Sequence, residues 1–127
     1  MSKPELSIIV VDDLQFSRVV VKTALKKAGY DGVRLADSAA VALKMLEEKP
    51  ADVVLADWMM PEMDGLTCAR KIRTELPEPQ CSTPIIALTA KSDKEELAQC
   101  LDFGMNECML KPFNSLLLVK RLLAYVS

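Results

Sequence analysis

Five polar residues stand where apolar runs end, and their types define the chemistry open to this chain. Asp12 and Asp13 follow "LSIIVV" (Leu6 to Val11), and Asp57 ends "VVLAD". Thr89 ends "PIIALT", and Lys111 follows "CML" (Cys108 to Leu110). Three carboxylates brought together repel one another, so the arrangement is costly unless something positive joins it. Lys111 supplies one charge, and a hard divalent cation with oxygen ligands supplies two more. Mg2+ suits this best, because it takes one or two carboxylates and keeps water and phosphate oxygens for its other positions. Singly, each residue has a plainer reading. An acid pair after a strand suits a turn or helix cap, Asp57 suits a cap on the turn before "MPEMDG", Thr89 is an ordinary strand end, and Lys111 is a solvated charge. Their joint occurrence at four strand ends points to a site.

Other chemistries are closed. The 127 residues contain no histidine, so no Ser-His or Cys-His nucleophilic pair and no phosphohistidine can form. Neither G-x-G-x-x-G after the first strand nor G-x-x-x-x-G-K-[ST] occurs, which leaves a phosphate no glycine cradle. Sixteen Lys and Arg against eighteen Asp and Glu give a net charge of -2, with no basic excess to suggest nucleic-acid binding. No apolar stretch approaches the ~20 residues of a membrane helix. The opening "MSKPELSIIVVDD" lacks a signal-peptide layout, so the expected compartment is the cytoplasm. Cys68, Cys81, Cys100 and Cys108 form no C-x-x-C pair. Without histidine a zinc site is not expected, and in a chain that is 50% apolar the thiols are expected to be reduced and mostly buried.

The elements that position these residues alternate. Leu6 to Val11 reads as a strand buried on both faces. Phe16, Val19, Val20 and Ala24 recur at helical spacing, and Gly29 is a C-terminal cap. Val33 to Ala36 reads as a weaker strand. Ser38 caps a second helix with Ala39, Ala42, Leu43 and Leu46 on one face, closed by Pro50. Val53 to Asp57 is a third strand, followed by a helix from about Gly65 to Leu76 with Ala69, Ile72 and Leu76 on one face. Pro77 to Thr83 reads as a loop, and Pro84 to Thr89 as the fourth strand. Ser92 and Glu95 make a capping box for a helix carrying Leu97, Cys100 and Leu101, which Gly104 ends. Cys108 to Leu110 is a fifth strand, and Ser115 to Val126 a helix with Leu118, Leu122 and Tyr125 on one face. Five such units with short connections predict an α/β fold, one parallel sheet with helices on both faces, and a single domain over residues 1–127. The binding crevice of such a sheet lies at the carboxyl ends of its strands, where strand order reverses. If the first and third strands are neighbours, Asp12, Asp13 and Asp57 converge there.

At "IIVVDD", "DWMMPEMDG", "PIIALTA" and "LKPF" the sequence resembles the receiver domain of bacterial two-component response regulators, and is similar in organisation to the chemotaxis response regulator. The resemblance covers essentially the whole chain. It implies a flavodoxin-like, doubly wound (βα)5 three-layer sandwich with a five-stranded parallel sheet of order 2-1-3-4-5. It also implies a phosphorelay signalling module that catalyses only its own phosphorylation and dephosphorylation. By the same resemblance Asp57 is the phospho-acceptor, and Asp12, Asp13, Asp57 and the backbone carbonyl of Met59 hold Mg2+. Thr89 and Lys111 contact the phosphoryl group, and Lys111-Pro112 is a cis peptide. The implied donor is a sensor histidine kinase or histidine phosphotransfer protein. The implied receiver of the signal is a downstream protein target or the output domain of a longer chain, through the face formed by the fourth helix, fifth strand and fifth helix. No direct contact with nucleic acid or membrane is implied. Three residues before the lysine relatives commonly carry Tyr or Phe; here Cys108 stands there, so the aromatic half of the family's switch is missing. Two other readings compete. A phosphate-independent pseudo-receiver is opposed by intact Asp13, Asp57, Thr89 and Lys111. A dehalogenase-like phosphatase is opposed by adjacent Asp12 and Asp13 where those enzymes carry D-x-D.

Overall fold

Apolar runs such as Ile8–Val11 and Val53–Asp57, with no polar alternation, need cover on both faces. The computed structural model, which describes residues 6–57, 65–89, 94–110 and 115–126, supplies it. Strands and helices alternate: β1 (Ile8–Val11), α1 (Gln15–Lys27), β2 (Val33–Ala36), α2 (Ala39–Glu48), β3 (Val53–Asp57), α3 (Gly65–Glu75), β4 (Ile85–Thr89), α4 (Lys94–Asp102), β5 (Glu107–Leu110) and α5 (Ser115–Val126). The strands form one parallel sheet of order β2-β1-β3-β4-β5, as the resemblance implied. Successive side chains alternate between two core layers. Ile9, Val11, Val54, Ala56, Ile85 and Ala87 pack with Ala42, Leu46, Ile72 and Cys100. Ile8, Val10, Val53, Leu55, Ile86 and Leu88 pack with Val21, Leu25, Leu118 and Leu122. Each fully buried Ile or Leu contributes on the order of 2 kcal/mol by leaving water.

Helix ends follow their local chemistry. The Ser38 hydroxyl accepts from Val41 N at 3.3 Å and caps α2. Gly29 takes φ 95° just past α1, a left-handed conformation open to glycine without cost. Two arginines hold the amino edge of the sheet. Arg34, in β2, donates to Ser7 Oγ at 2.9 Å and to the carbonyls of Met45, Lys49 and Pro50 at 3.2, 3.1 and 3.2 Å. Arg73, in α3, donates to the carbonyls of Gly104, Cys81 and Thr83 at 3.0, 2.9 and 2.7 Å, and to Asn106 Oδ1 at 3.1 Å. Burial lowers the pKa of both guanidiniums, and both keep their charge, because an arginine starts so far above neutrality. Asn106 Oδ1 also accepts from Ile85 N at 2.8 Å, fixing where β4 begins.

Several expectations change. Helix α1 exists, but its buried residues are Val21 and Leu25 rather than the Phe16, Val19 and Val20 stripe. Phe16 is 80% exposed, and Val19 and Val20 are 48% exposed. Two apolar stripes compete in this helix, and the one in register with buried Tyr30 and the sheet goes inward. Leu101 likewise points outward from α4. The loop before β4 contains a 3₁₀ turn, Gln80–Ser82, whose buried Gln80 donates to Leu46 O at 3.0 Å. The expectation of reduced thiols holds for Cys68 and Cys81 and fails for Cys100 and Cys108, which are joined as a disulfide between α4 and β5. Their spacing hides this, because only the fold-back after α4 brings the two sulfurs together. The expected Lys111-Pro112 cis peptide and Ser92 of the capping box lie outside the described residues.

Candidate active site at the carboxyl edge

Strand register builds the site. Val11 pairs with Ala56, so Asp12 and Asp57, one residue further along, emerge side by side from β1 and β3. Asp57 pairs with Leu88, which brings Thr89 to the same edge, and Thr89 pairs with Leu110, the residue before Lys111. One row of backbone across four neighbouring strands thus ends in the residues singled out by type.

Asp12, Asp13 and Asp57 each bring a carboxylate oxygen to within 4.8 Å of the others. Asp12 is 1% exposed and Asp57 7%, while Asp13 opens toward solvent. Asp12 serves two purposes. Its carboxylate accepts from Leu14 N at 3.0 Å, shaping the turn into α1, and its carbonyl accepts from Arg18 Nη1 at 2.7 Å. The turn reading of the acid pair is therefore correct, and it also pins Asp12 in the cluster. Thr89 is 5% exposed. Ile85 and Ala87 face the layer of α2, α3 and α4, and Thr89 follows them at the same two-residue period. Met59 and Lys111 lie outside the described residues.

The donor set is all oxygen, compact and part buried, and these carboxylates fit a hard divalent cation such as Mg2+. A carboxylate held rigidly at a strand end, beside a cation site and a hydroxyl, is equipped to act as a nucleophile toward a phosphoryl group.

Sequence reasoning missed the surface beside this cluster. Leu14, Phe16, Val19 and Val20 are exposed and run from the acid pair along α1. Their signal was the doubled apolar stripe of that helix. Farther round, on β5 and α5, Glu107 accepts from Arg121 Nε and Nη2 at 2.7 Å each, and from Tyr125 Oη. Burial pushes the Glu107 carboxyl up, but these hydrogen bonds outweigh it and hold the group below its ordinary range. Among the described residues no helix is long and apolar enough to cross a membrane.

Comparison with known proteins places this geometry. Chemotaxis protein CheY-3 of Vibrio cholerae is 32% identical over 117 residues, spanning 92% of this chain and 88% of that protein. The structure of Vibrio cholerae CheY4 superposes with a TM-score of 0.87 at 30% identity, covering 95% of this chain and 98% of that one. The receiver domain of sensor histidine kinase PA1611 from Pseudomonas aeruginosa, solved with a magnesium ion coordinated in its active-site cleft, superposes with a TM-score of 0.86 at 31% identity, covering 96% and 98%. A family model, the response regulator receiver domain, matches residues 8–123. That span takes in every strand and the whole acid cluster, and the chain belongs to the family of response regulator receiver domains.

Proposed function

We propose that Asp57 accepts a phosphoryl group from the phosphohistidine of a sensor histidine kinase or histidine phosphotransfer protein, in the cytoplasm. An Asp57 oxygen attacks phosphorus, the phosphorus–nitrogen bond breaks, and the electron pair leaves on the donor's imidazole. Asp12, Asp13 and the backbone carbonyl of Met59 hold Mg2+ together with Asp57. When bound, that ion offsets the carboxylate repulsion and the charge on the phosphoryl oxygens. The Thr89 hydroxyl donates to a phosphoryl oxygen, and the Lys111 ammonium pairs with another. Water later hydrolyses the acyl phosphate, so the chain catalyses only its own phosphorylation and dephosphorylation. The apolar side chains of Leu14, Phe16, Val19 and Val20, exposed on the segment that follows the acid pair in the chain, are where the donor protein docks.

One observation carries this reading: three carboxylates from β3 and the end of β1 converge within 4.8 Å, with Asp57 buried at the tip of the central strand. The magnesium in the PA1611 receiver cleft supports the choice of ion. The test is intact-mass spectrometry after acetyl phosphate treatment. One added phosphoryl group is expected, dependent on Mg2+, and an undiminished adduct in Asp57→Asn overturns the assignment.

A further inference from the structure

Two sulfurs meet on the side of the molecule that leads to and from the site. Cys100 is fully buried on α4, and Cys108 is partly exposed on β5. They are joined, with Cα atoms 7.1 Å apart. The turn between them is held independently of sulfur. Gly104 takes φ 96°, Met105 N donates to Cys100 O at 2.9 Å, and Arg73 Nε donates to Gly104 O. Backbone and arginine contacts thus shape the turn that brings the two cysteines together.

We propose that Cys100 and Cys108 are a reversible oxidation site, which sets how far α4 moves relative to β5. The oxidant is hydrogen peroxide. The more accessible Cys108, as thiolate, attacks a peroxide oxygen. The oxygen–oxygen bond breaks, Cys108 becomes a sulfenic acid, and water leaves. Cys100, as thiolate, attacks that sulfur, the sulfur–oxygen bond breaks, and a second water leaves. In sum two thiols give two electrons and two protons to one peroxide, yielding a disulfide and two waters. A dithiol reductant reverses the change by exchange at the accessible sulfur of Cys108. In a cytoplasmic protein a disulfide is ordinarily transient and redox-sensing, which fits this role.

The consequence for signalling follows from connectivity. Chain leaving Thr89 enters α4 after four residues, and β5 runs through Leu110 into Lys111. Cys108 pairs with Ala87, two residues before Thr89 and on the same face of the sheet. The bond thus ties together the segments that follow Thr89 and precede Lys111. Phosphorylation shifts a conformational equilibrium only through contacts that differ between the states. A closed bond holds α4 and β5 in one arrangement and removes that difference. The oxidised chain accepts phosphate but responds to it less. This coupling rests on the proposed roles of Asp57, Thr89 and Lys111; the oxidation itself does not.

The experiment uses the full chain, reduced with dithiothreitol, exposed to graded hydrogen peroxide and alkylated for peptide mass spectrometry. After peroxide only Cys68 and Cys81 should take label, and reductant should restore label at all four. Label persisting on both Cys100 and Cys108, or overoxidation without pairing, overturns the site. Hydrogen exchange in α4 and β5 is then compared between redox forms, with and without acetyl phosphate and Mg2+. Phosphorylation should change exchange in α4 by about tenfold in the reduced chain and less than about twofold in the oxidised chain. Cys108→Ser should respond like the reduced chain under both conditions. Equal responses in the two redox forms of the unmodified chain overturn the coupling. Intact mass of each sample separates the two ideas, because an adduct missing from both forms refutes the phosphoryl reading while the thiol count still decides the oxidation.

Discussion

At the amino edge of the sheet two guanidiniums are ringed by carbonyl oxygens; at the carboxyl edge three carboxylates face one another. Arg34 gathers the segments leading into β1 and β3, and Arg73 those leading into β4 and β5. Every one of those contacts is opposite in sign or dipole, and it is made within the chain. At the other edge like charges are stacked, two of them buried at the end of the core while the third opens to solvent. The contrast separates two jobs on one sheet. The amino edge spends its polar groups on holding strands in register, and the carboxyl edge gathers three acids into one compact cluster that suits a cation.

Replacing residues at each edge in turn sharpens that contrast. The largest expected effect is Asp57→Asn, which should abolish the phosphoryl adduct while leaving stability equal or up to about 1 kcal/mol higher, because a like charge is removed. Urea melts check the second part, and marked destabilisation would mean the carboxylate holds the fold. Arg73→Ala is the reverse case. It strands three backbone carbonyls and Asn106, so a loss of about 3 kcal/mol is expected in the same melts. Adduct yield per folded molecule should stay unchanged. A loss under about 0.5 kcal/mol removes the clamp from the account.

Mg2+ provides the third comparison. A cation bound only by the folded chain adds RT ln(1 + [L]/Kd), about 2.7 kcal/mol at 100 times Kd. Thermal melts with Mg2+ and with a chelator should differ accordingly, and the difference should vanish in Asp13→Ala. Identical melts at saturating Mg2+ refute the site. The smallest effect is at Glu107. Burial opposes its charge, but hydrogen bonds from Arg121 and Tyr125 prevail and depress its folded pKa. A depressed carboxyl stabilises the fold above its unfolded value, near pH 4.3. That contribution is lost as pH falls through the lower folded value. With Arg121 half exposed it amounts to about 1 kcal/mol or less. Glu107→Gln should lower stability at neutral pH by that amount and flatten the acid limb of the curve. An unchanged acid limb dismisses the cluster.

Much of this was legible in residue order. Unbroken apolar runs at Ile8–Val11, Val53–Asp57 and Ile85–Thr89 require two-sided burial, which fixes an α/β sandwich with a parallel sheet. Strand-end acids then fall at one edge whatever the helices do. Less was legible where a residue's partner is chosen by the tertiary path. Helix α1 carries two apolar stripes, and periodicity alone does not say which meets the sheet. Arg73 finds its partners only where the Gly104 turn and the 3₁₀ segment close around it, which residue order does not show. Cys100 and Cys108 are eight residues apart, and nothing local shows that a helix end and a strand start bring them together.

Register imposes a further requirement, one of counting. Asn106 fixes Ile85 at the amino edge, and Thr89 reaches the other edge four residues on. Inserting or deleting one codon between them would advance or retract Thr89 by about 3.3 Å. It would also turn the hydroxyl to the opposite face of the sheet, because side chains alternate. The same holds in β3, where Val54 N donates to Pro84 O at 2.9 Å and Asp57 follows three residues later. Every chemical group would survive such a change in length, and none would meet its neighbour. Substitution and insertion therefore meet different tolerances here: an alanine-for-valine exchange inside a strand weakens the core, whereas a single added alanine dismantles the site.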